Sequence, residues 1–481
     1  MAKITRKYPF SDYVVEKASL SGQQQDAADA LLAAARSEKT VAAFCARFPK
    51  AKQDDLKKFL NYAHALPGRK PLAGRERNEF LEKASSAIAF APEPDKIALW
   101  VLEELQGYIV MQPLLDDDDL EEIMINNSRE VFVFHRKYGL CKADVEFENA
   151  AELAELAKQI GLEDGQGYAD FRLSDGSRAN VIAPPAVSEH VITVQKFRQN
   201  PFSVVELIEK GTLSAELAAY LWTAIDGLGF HPLNVMIAGG TAAGKTTTLN
   251  ALSSFIPPSD RIVTIEDAPE LNFFERDNWV QMITTDKMDL PGLLRNCLRM
   301  RPDRIIVGDI RGEEASTLFT AMNTGHRGSM GTFHANSDRD AMKRLENEPM
   351  SVPRALIPLA DIIMVQHRVR GSEEGSLARR VMQVSEISQI EDVIALNPLF
   401  AWNPDEDVIE HTKFGSEAVE KIATFARLTK NQVSGEIEKR AAILESLSEE
   451  KIVKQSEVDG FMRAYYSKSL FGTEEKSKTP A

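Results

Sequence analysis

Cysteine is scarce in this 481-residue chain: Cys45, Cys141 and Cys297 stand far apart and are odd in number. That excludes a disulfide framework and a cysteine-based zinc pattern, and buried thiols in a reducing compartment are expected. Long apolar runs are missing too, none approaching the ~18 residues that a spanning helix requires. The opening MAKITRKYPFSDYVVEKASL has no apolar core of signal-peptide length. A cytoplasmic protein is expected, with any membrane role peripheral or through a partner. Basic charge is in deficit, with 57 Lys and Arg against 72 Asp and Glu and a formal net charge of −15. No nucleic-acid partner is expected, because phosphate backbones are held by clustered Lys and Arg.

What is present fits a soluble globular protein of two or three domains, 43% hydrophobic and 27% charged. Residues 1–95 read as a helical N-terminal segment, with Leu, Phe and Ala spaced by three and four in DAADALLAAARS and LKKFLNYAHAL. Residues 96–205 read as a small α+β domain: LEEIMIN and EVFVFHRKYG alternate as strands do, and DFRLSDGSRANVIAPP and HVITVQKFR follow. Residues 206–400 carry short apolar runs, NVMIAGG, RIVTIED, RIIVGD, MGTFHA and DIIMVQH, separated by helical patterns. That alternation predicts an α/β fold whose parallel sheet is covered on both faces. Residues 401–481 read as helical again, ending in a polar tail.

Within AGGTAAGKTTTLNAL, Gly239 and Gly244-Lys245-Thr246 satisfy the G-x-x-x-x-G-K-[ST] spacing between a predicted strand and a predicted helix. Glycines let such a loop turn its N–H groups inward onto phosphate oxygens, at the positive end of the helix that follows. Gly239, Gly240, Thr241, Ala242, Ala243, Gly244, Lys245, Thr246 and Thr247 are therefore the candidate ATP-binding residues. Lys245 is expected on the β- and γ-phosphates, and the Thr246 hydroxyl on Mg²⁺.

A triphosphate site also needs groups that hold Mg²⁺ and orient water. In a parallel sheet the strand ends on one edge share one crevice. Three predicted strands end there in candidates: Glu266, with Asp267 and Glu270 just beyond; Asp309; and His334. Asp309 is expected to face Mg²⁺ and the attacking water, while Glu313 and Glu314 begin the next helix, whose dipole favours negative charge. The spacing of His326 and His334 matches no zinc pattern.

The ordered stretches GGTAAGKTTT, IVTIEDAPEL, LRMRPDRIIVGDIRGEEA and TGHRGSMGTFHANS resemble the Walker A, aspartate, Walker B and histidine boxes of the secretion and pilus-assembly ATPase superfamily. LEEIMINNSREVFVFHRKYG, LSDGSRANVIAPP and MSVPRALIPLADIIMVQHRV are similar to its archaeal branch, so the resemblance spans about residues 96–467. It implies a RecA-like P-loop ATPase domain behind a smaller amino-terminal domain. It further implies a homo-hexameric ring on the cytoplasmic face of the membrane that drives a polytopic platform protein, with accessory motor proteins as further partners. The filament it implies is an archaellum, with rotation, or an archaeal pilus. Glu266 and Glu270 match the acidic box, and His334 matches the histidine that reports nucleotide state. Arg172 and Arg178, with Lys196 or Arg198, match positions that reach the phosphates as fingers.

One departure stands out: the family usually has Glu where this chain has Asp309. A side chain one methylene shorter matters because a misplacement of ~1 Å can cost ~100-fold in rate. A slow ATPase is the expectation, with a nucleotide-gated scaffold as the alternative. A P-loop kinase would lack the ordered acidic and histidine boxes, and a DNA motor would want a basic pore.

Overall fold

The structure is a computed structural model that describes residues 3–5, 11–14, 20–36, 41–65, 74–106, 108, 111–173, 176–196, 201–273, 276–285, 287–371, 377–390, 393–412 and 414–471. The chain divides into two compact units, Met1–Gln199 and Asn200–Ala481.

In the first unit, the helices Gly22–Arg36, Val41–Arg47, Gln53–Ala65, Gly74–Ala87 and Pro94–Gln106 surround one apolar cluster that includes Leu31, Phe59, Phe80 and Ile97. The rings of Phe59 and Phe80 meet edge-on at 5.2 Å, a favoured aromatic geometry. The strands are β1 (Lys3–Thr5), β2 (Ser11–Val14), β3 (Leu120–Asn127), β4 (Glu130–His135), β5 (Gly139–Ala143), β6 (Tyr168–Arg172), β7 (Arg178–Ile182) and β8 (Val191–Gln195). They form one sheet in the order β1-β2-β5-β4-β3-β8-β7-β6. The helix Ala150–Ile160, capped by the Asn149 side chain, contributes Leu153, Leu156 and Ile160 to the same core as the sheet. The helical reading of the first residues does not extend to β1 and β2. Strands of three and four residues are too short to display a period of two, and β2 is made a strand by its parallel neighbour β5. Tyr13 is buried there and hydrogen-bonds Asp117.

The second unit has β9 (Val235–Gly239), β10 (Ile262–Glu266), β11 (Trp279–Ile283), β12 (Arg304–Ile310), β13 (Met330–Phe333), β14 (Ile362–Arg370), β15 (Leu377–Ile390), β16 (Val393–Asn403) and β17 (Val408–His411). Their order is β11-β10-β12-β13-β9-β14-β15-β16-β17. The run from β11 to β14 is parallel throughout. Its inner strands are buried along their length, which is why they read as continuous apolar runs rather than alternating ones. β14 to β17 then extend the sheet as an antiparallel meander, and the residue-400 boundary read from the sequence lies inside β16.

The helix Lys430–Glu449 packs on the helix Ala215–Asp226 through a buried ion pair. Arg440 places Nη1 and Nη2 at 3.0 and 2.8 Å from the two carboxylate oxygens of Asp226. Its guanidinium also lies 4.7 Å from the Trp222 ring centroid. From the last helix, Gln455–Phe471, the Tyr466 hydroxyl accepts from Trp222 Nε1 at 2.8 Å and donates to the Phe255 carbonyl at 2.7 Å. The C-terminal helices thus share the core of the parallel sheet. Cys141 and Cys297 are buried and Cys45 is half-buried, all as free thiols. Among the described residues, no helix is long and apolar enough to cross a membrane.

Candidate nucleotide site

The loop 240–244 leaves the carboxyl end of β9, a central strand, and enters the helix Lys245–Leu252 at Gly244. Gly244 has φ +91°, and a Cβ there would lie 3.0 Å from Gln366 Nε2. At Gly239 a Cβ would fall 2.3 Å from the Gln366 carbonyl oxygen, so any side chain would push β9 off β14. Thr241 and Ala242 are exposed, whereas Lys245 is buried. The Lys245 ammonium donates to the Gly240 carbonyl at 2.9 Å, inside its own loop. Burial lowers its pKa, against the pull of the neighbouring Asp309 and Glu270 carboxylates. A partly desolvated cation beside the amino end of a helix is chemistry suited to an anion.

The acids named from the sequence occupy distinct environments. Glu270, exposed at the surface of the site, hydrogen-bonds the Thr246 hydroxyl, and partial desolvation of its carboxyl raises its pKa. Glu266 is fully engaged one layer below. Its Oε1 accepts the main-chain N–H groups of Glu270 and Leu271, both at 2.9 Å, and Oε2 accepts from Gln281 Nε2 at 3.0 Å. Burial pushes its pKa up to about 7. Gly308 leaves room for this acid, since a Cβ there would lie 2.9 Å from Glu266 Cγ. Glu266 therefore shapes the turn that presents Glu270.

Asp309 lies within β12, beside a register shift against β13. Its Oδ2 accepts from Arg311 Nε at 2.7 Å and is 3.8 Å from His334 Nε2, while Oδ1 is buried with no hydrogen-bond partner among the described residues. His334 follows β13 directly; burial and nearby Lys245 lower its pKa, with Asp309 opposing. Glu313 occupies the N-cap position of the helix Glu314–Asn323 without a capping hydrogen bond from its side chain to the described residues, and Glu314 folds back, its Oε1 accepting from the N–H groups of Arg311 and Gly312 at 2.6 and 2.7 Å. That contact holds the turn from which Arg311 reaches Asp309.

The basic candidates belong to the first unit. Arg172 and Arg178 face each other in register on β6 and β7, at one edge of the sheet, and Arg178 Nη2 is 3.3 Å from Asp170 Oδ2. Lys196 donates to the Leu114 carbonyl at 3.0 Å and to that of Asp117. Arg198 lies outside the described residues. Sequence reading missed Arg311 and Gln366. For Gln366 a signal existed, a polar residue closing the apolar strand IIMV, of the same kind that marked Asp309.

A parallel sheet with a lysine-bearing glycine loop at the end of a central strand, behind an α+β unit, defines a RecA-like P-loop fold. The chain belongs to the type II/IV secretion system protein family, whose model matches residues 111–405. An uncharacterised protein of Methanocaldococcus jannaschii is 34% identical over 410 residues, spanning 81% of this chain and 73% of its own length. The probable conjugal transfer protein TrbB of Sinorhizobium fredii is 31% identical over 285 residues, 57% of this chain and 85% of that one. Among solved structures, the VirB11 ATPase from the Brucella suis type IV secretion system aligns with TM-score 0.30 at 24% identity, over 57% of this chain and 95% of that chain.

Proposed function

We propose that the protein is a Mg²⁺-dependent ATPase that works as a homo-hexameric motor at the cytoplasmic face of the cell membrane. It powers assembly of an archaeal type IV-pilus-like surface filament, pilus or archaellum, through a polytopic platform protein. Membership of the secretion family supports this reading, and the Methanocaldococcus relative supports the archaeal branch. The observation that carries the hydrolytic part is the grouping of Lys245, Glu270, Asp309 and His334 around one glycine loop.

Each residue has a task in that reading. Lys245 exchanges the Gly240 carbonyl for phosphate oxygens. Asp309 orients the attacking water and takes its proton, and His334, with its pKa lowered, hydrogen-bonds as a neutral group. Glu270 holds the Thr246 hydroxyl in place. The donors are hard oxygens, and Asp309 Oδ1 is buried without a hydrogen-bond partner among the described residues, which fits Mg²⁺. Thr246 and Asp309 would hold the ion, partly through water. When bound, Mg²⁺ neutralises charge on the β- and γ-phosphates. Arg172 and Arg178 are proposed as fingers, planar donors for charge spread over phosphate oxygens.

Phosphate release by the purified chain, with and without Mg²⁺, tests this. Wild type should turn over slowly, Lys245→Ala should lose both binding and turnover, and light scattering with ATP should give six copies. Equal triphosphate binding by wild type and Lys245→Ala would sink the nucleotide reading. A second reading, a nucleotide-gated scaffold, is favoured by the engagement of Asp309 Oδ2 with Arg311. Tight binding without turnover in the presence of the membrane partner would select it.

A further inference from the structure

We infer that Gln366 is a positioning residue for the phosphate loop, tying both ends of that loop to β14; this rests on the nucleotide reading above. Gln366 is buried and stands opposite Gly239 in the β9–β14 register. Its main-chain oxygen lies where a Gly239 side chain would be, at 2.3 Å from that Cβ position. Its side-chain Nε2 lies 3.0 Å from the Cβ position of Gly244, the residue that closes the loop. Its Oε1 accepts from the buried Thr248 hydroxyl at 2.9 Å, on the first turn of the helix Lys245–Leu252. One residue thus meets the start of the loop, its end and the helix beyond.

The chemistry suits that task. A primary amide is planar and carries its donor and acceptor at fixed directions. With Oε1 tied to Thr248, Nε2 is aimed at the loop, and the spacing between β14 and the helix is set. A loop already shaped for phosphate needs little ordering when the ligand arrives. Once untied, it populates other shapes, and apparent affinity falls with the competent fraction. The Gln366 hydrogen bond goes to Thr248 and to none of Lys245, Thr246, Glu270 or Asp309. The residue therefore acts through the loop and leaves the water-activating groups alone.

The test compares Gln366→Met, Thr248→Val, Thr248→Ser and the Gln366→Met/Thr248→Val double variant of the full chain, with fluorescent ATP and ADP analogues as binding probes and ATP for turnover. Gln366→Met and Thr248→Val should each raise the dissociation constants and KM about tenfold, the scale of one unsatisfied buried partner, with kcat held within about twofold. The double variant should be no worse than either single, because one link is cut in all three. Thr248→Ser, which keeps the hydroxyl, should bind as wild type does. The serine–valine contrast carries the test should the methionine variant fail to fold. Additive losses, a fall in kcat with KM unchanged, or wild-type affinity in Thr248→Val would overturn the positioning role. Absence of nucleotide binding by wild type would instead overturn the reading beneath it.

Discussion

Arg311 Nε and Asp309 Oδ2 are joined at 2.7 Å across a single intervening residue, so the acid at the tip of β12 already has a cationic partner. The Arg311 side chain is largely exposed, so the pair adds no more than ~1 kcal/mol to stability. Its consequence is for chemistry. Asp309→Ala should lower steady-state phosphate release by about 100-fold, the low end for loss of a general base. Asp309→Glu should equal or exceed wild type, since the longer side chain recovers the missing reach. Equal rates in wild type and Asp309→Ala would remove this residue from the mechanism.

Arg311→Ala should leave the urea midpoint nearly unchanged while changing the rate of phosphate release, because Asp309 Oδ2 loses the donor that now occupies it. An unaltered rate would show that the pair is an incidental surface contact.

Glu266 supplies a pH prediction whose sign is fixed by burial. Its carboxyl pKa is raised from 4.5 to about 7, so the folded state holds a proton that the unfolded state has lost. The resulting stabilisation is complete below about 4.5 and disappears as pH rises through about 7, an effect of about 3 kcal/mol. Urea unfolding of wild type and Glu266→Gln at pH 5 and pH 8 measures it. The variant should gain on wild type as pH rises; a constant difference between the two would contradict the assignment.

Gly239→Ala should abolish nucleotide binding, because its Cβ would sit 2.3 Å from the Gln366 carbonyl and the two strands must part. A Cβ at Gly240 would meet Asn336 Oδ1 at an ordinary 3.8 Å, so Gly240→Ala should bind within a few-fold of wild type. Binding titrations on the two variants distinguish a steric requirement from a general dislike of side chains in the loop.

Arg440→Ala should destabilise the second unit by roughly 3–5 kcal/mol, since it strands the Asp226 carboxylate in the core. Replacing both partners by apolar residues of similar volume should cost much less. Denaturant titration followed by tryptophan fluorescence reports this directly, with Trp222 stacked beneath the guanidinium.

Parts of this architecture were legible in advance because their signals are local. Spacing alone located the glycine loop between Val235–Gly239 and Lys245–Leu252. Buried parallel strands announce themselves as apolar runs, and Ile262–Glu266, Arg304–Ile310 and Met330–Phe333 did so. The antiparallel meander was not legible. Half-exposed strands such as β16 carry neither a continuous apolar run nor a clean alternation. The β2 strand owes its form to β5, far away along the chain.

The amino-acid sequence by itself determined that this protein has a phosphate-type loop at Lys245 and acids at the ends of neighbouring strands, since both follow from residue order and strand direction. Only the tertiary structure decided how those acids divide the work. Glu266 is turned under its own backbone, Glu270 to Thr246, Asp309 to Arg311, and Glu314 back onto its turn. Where a carboxylate points depends on which donors surround it after folding: near neighbours such as Arg311 and Leu271 are presented only once their turn has formed, and Gln281 and Thr246 arrive from other elements altogether.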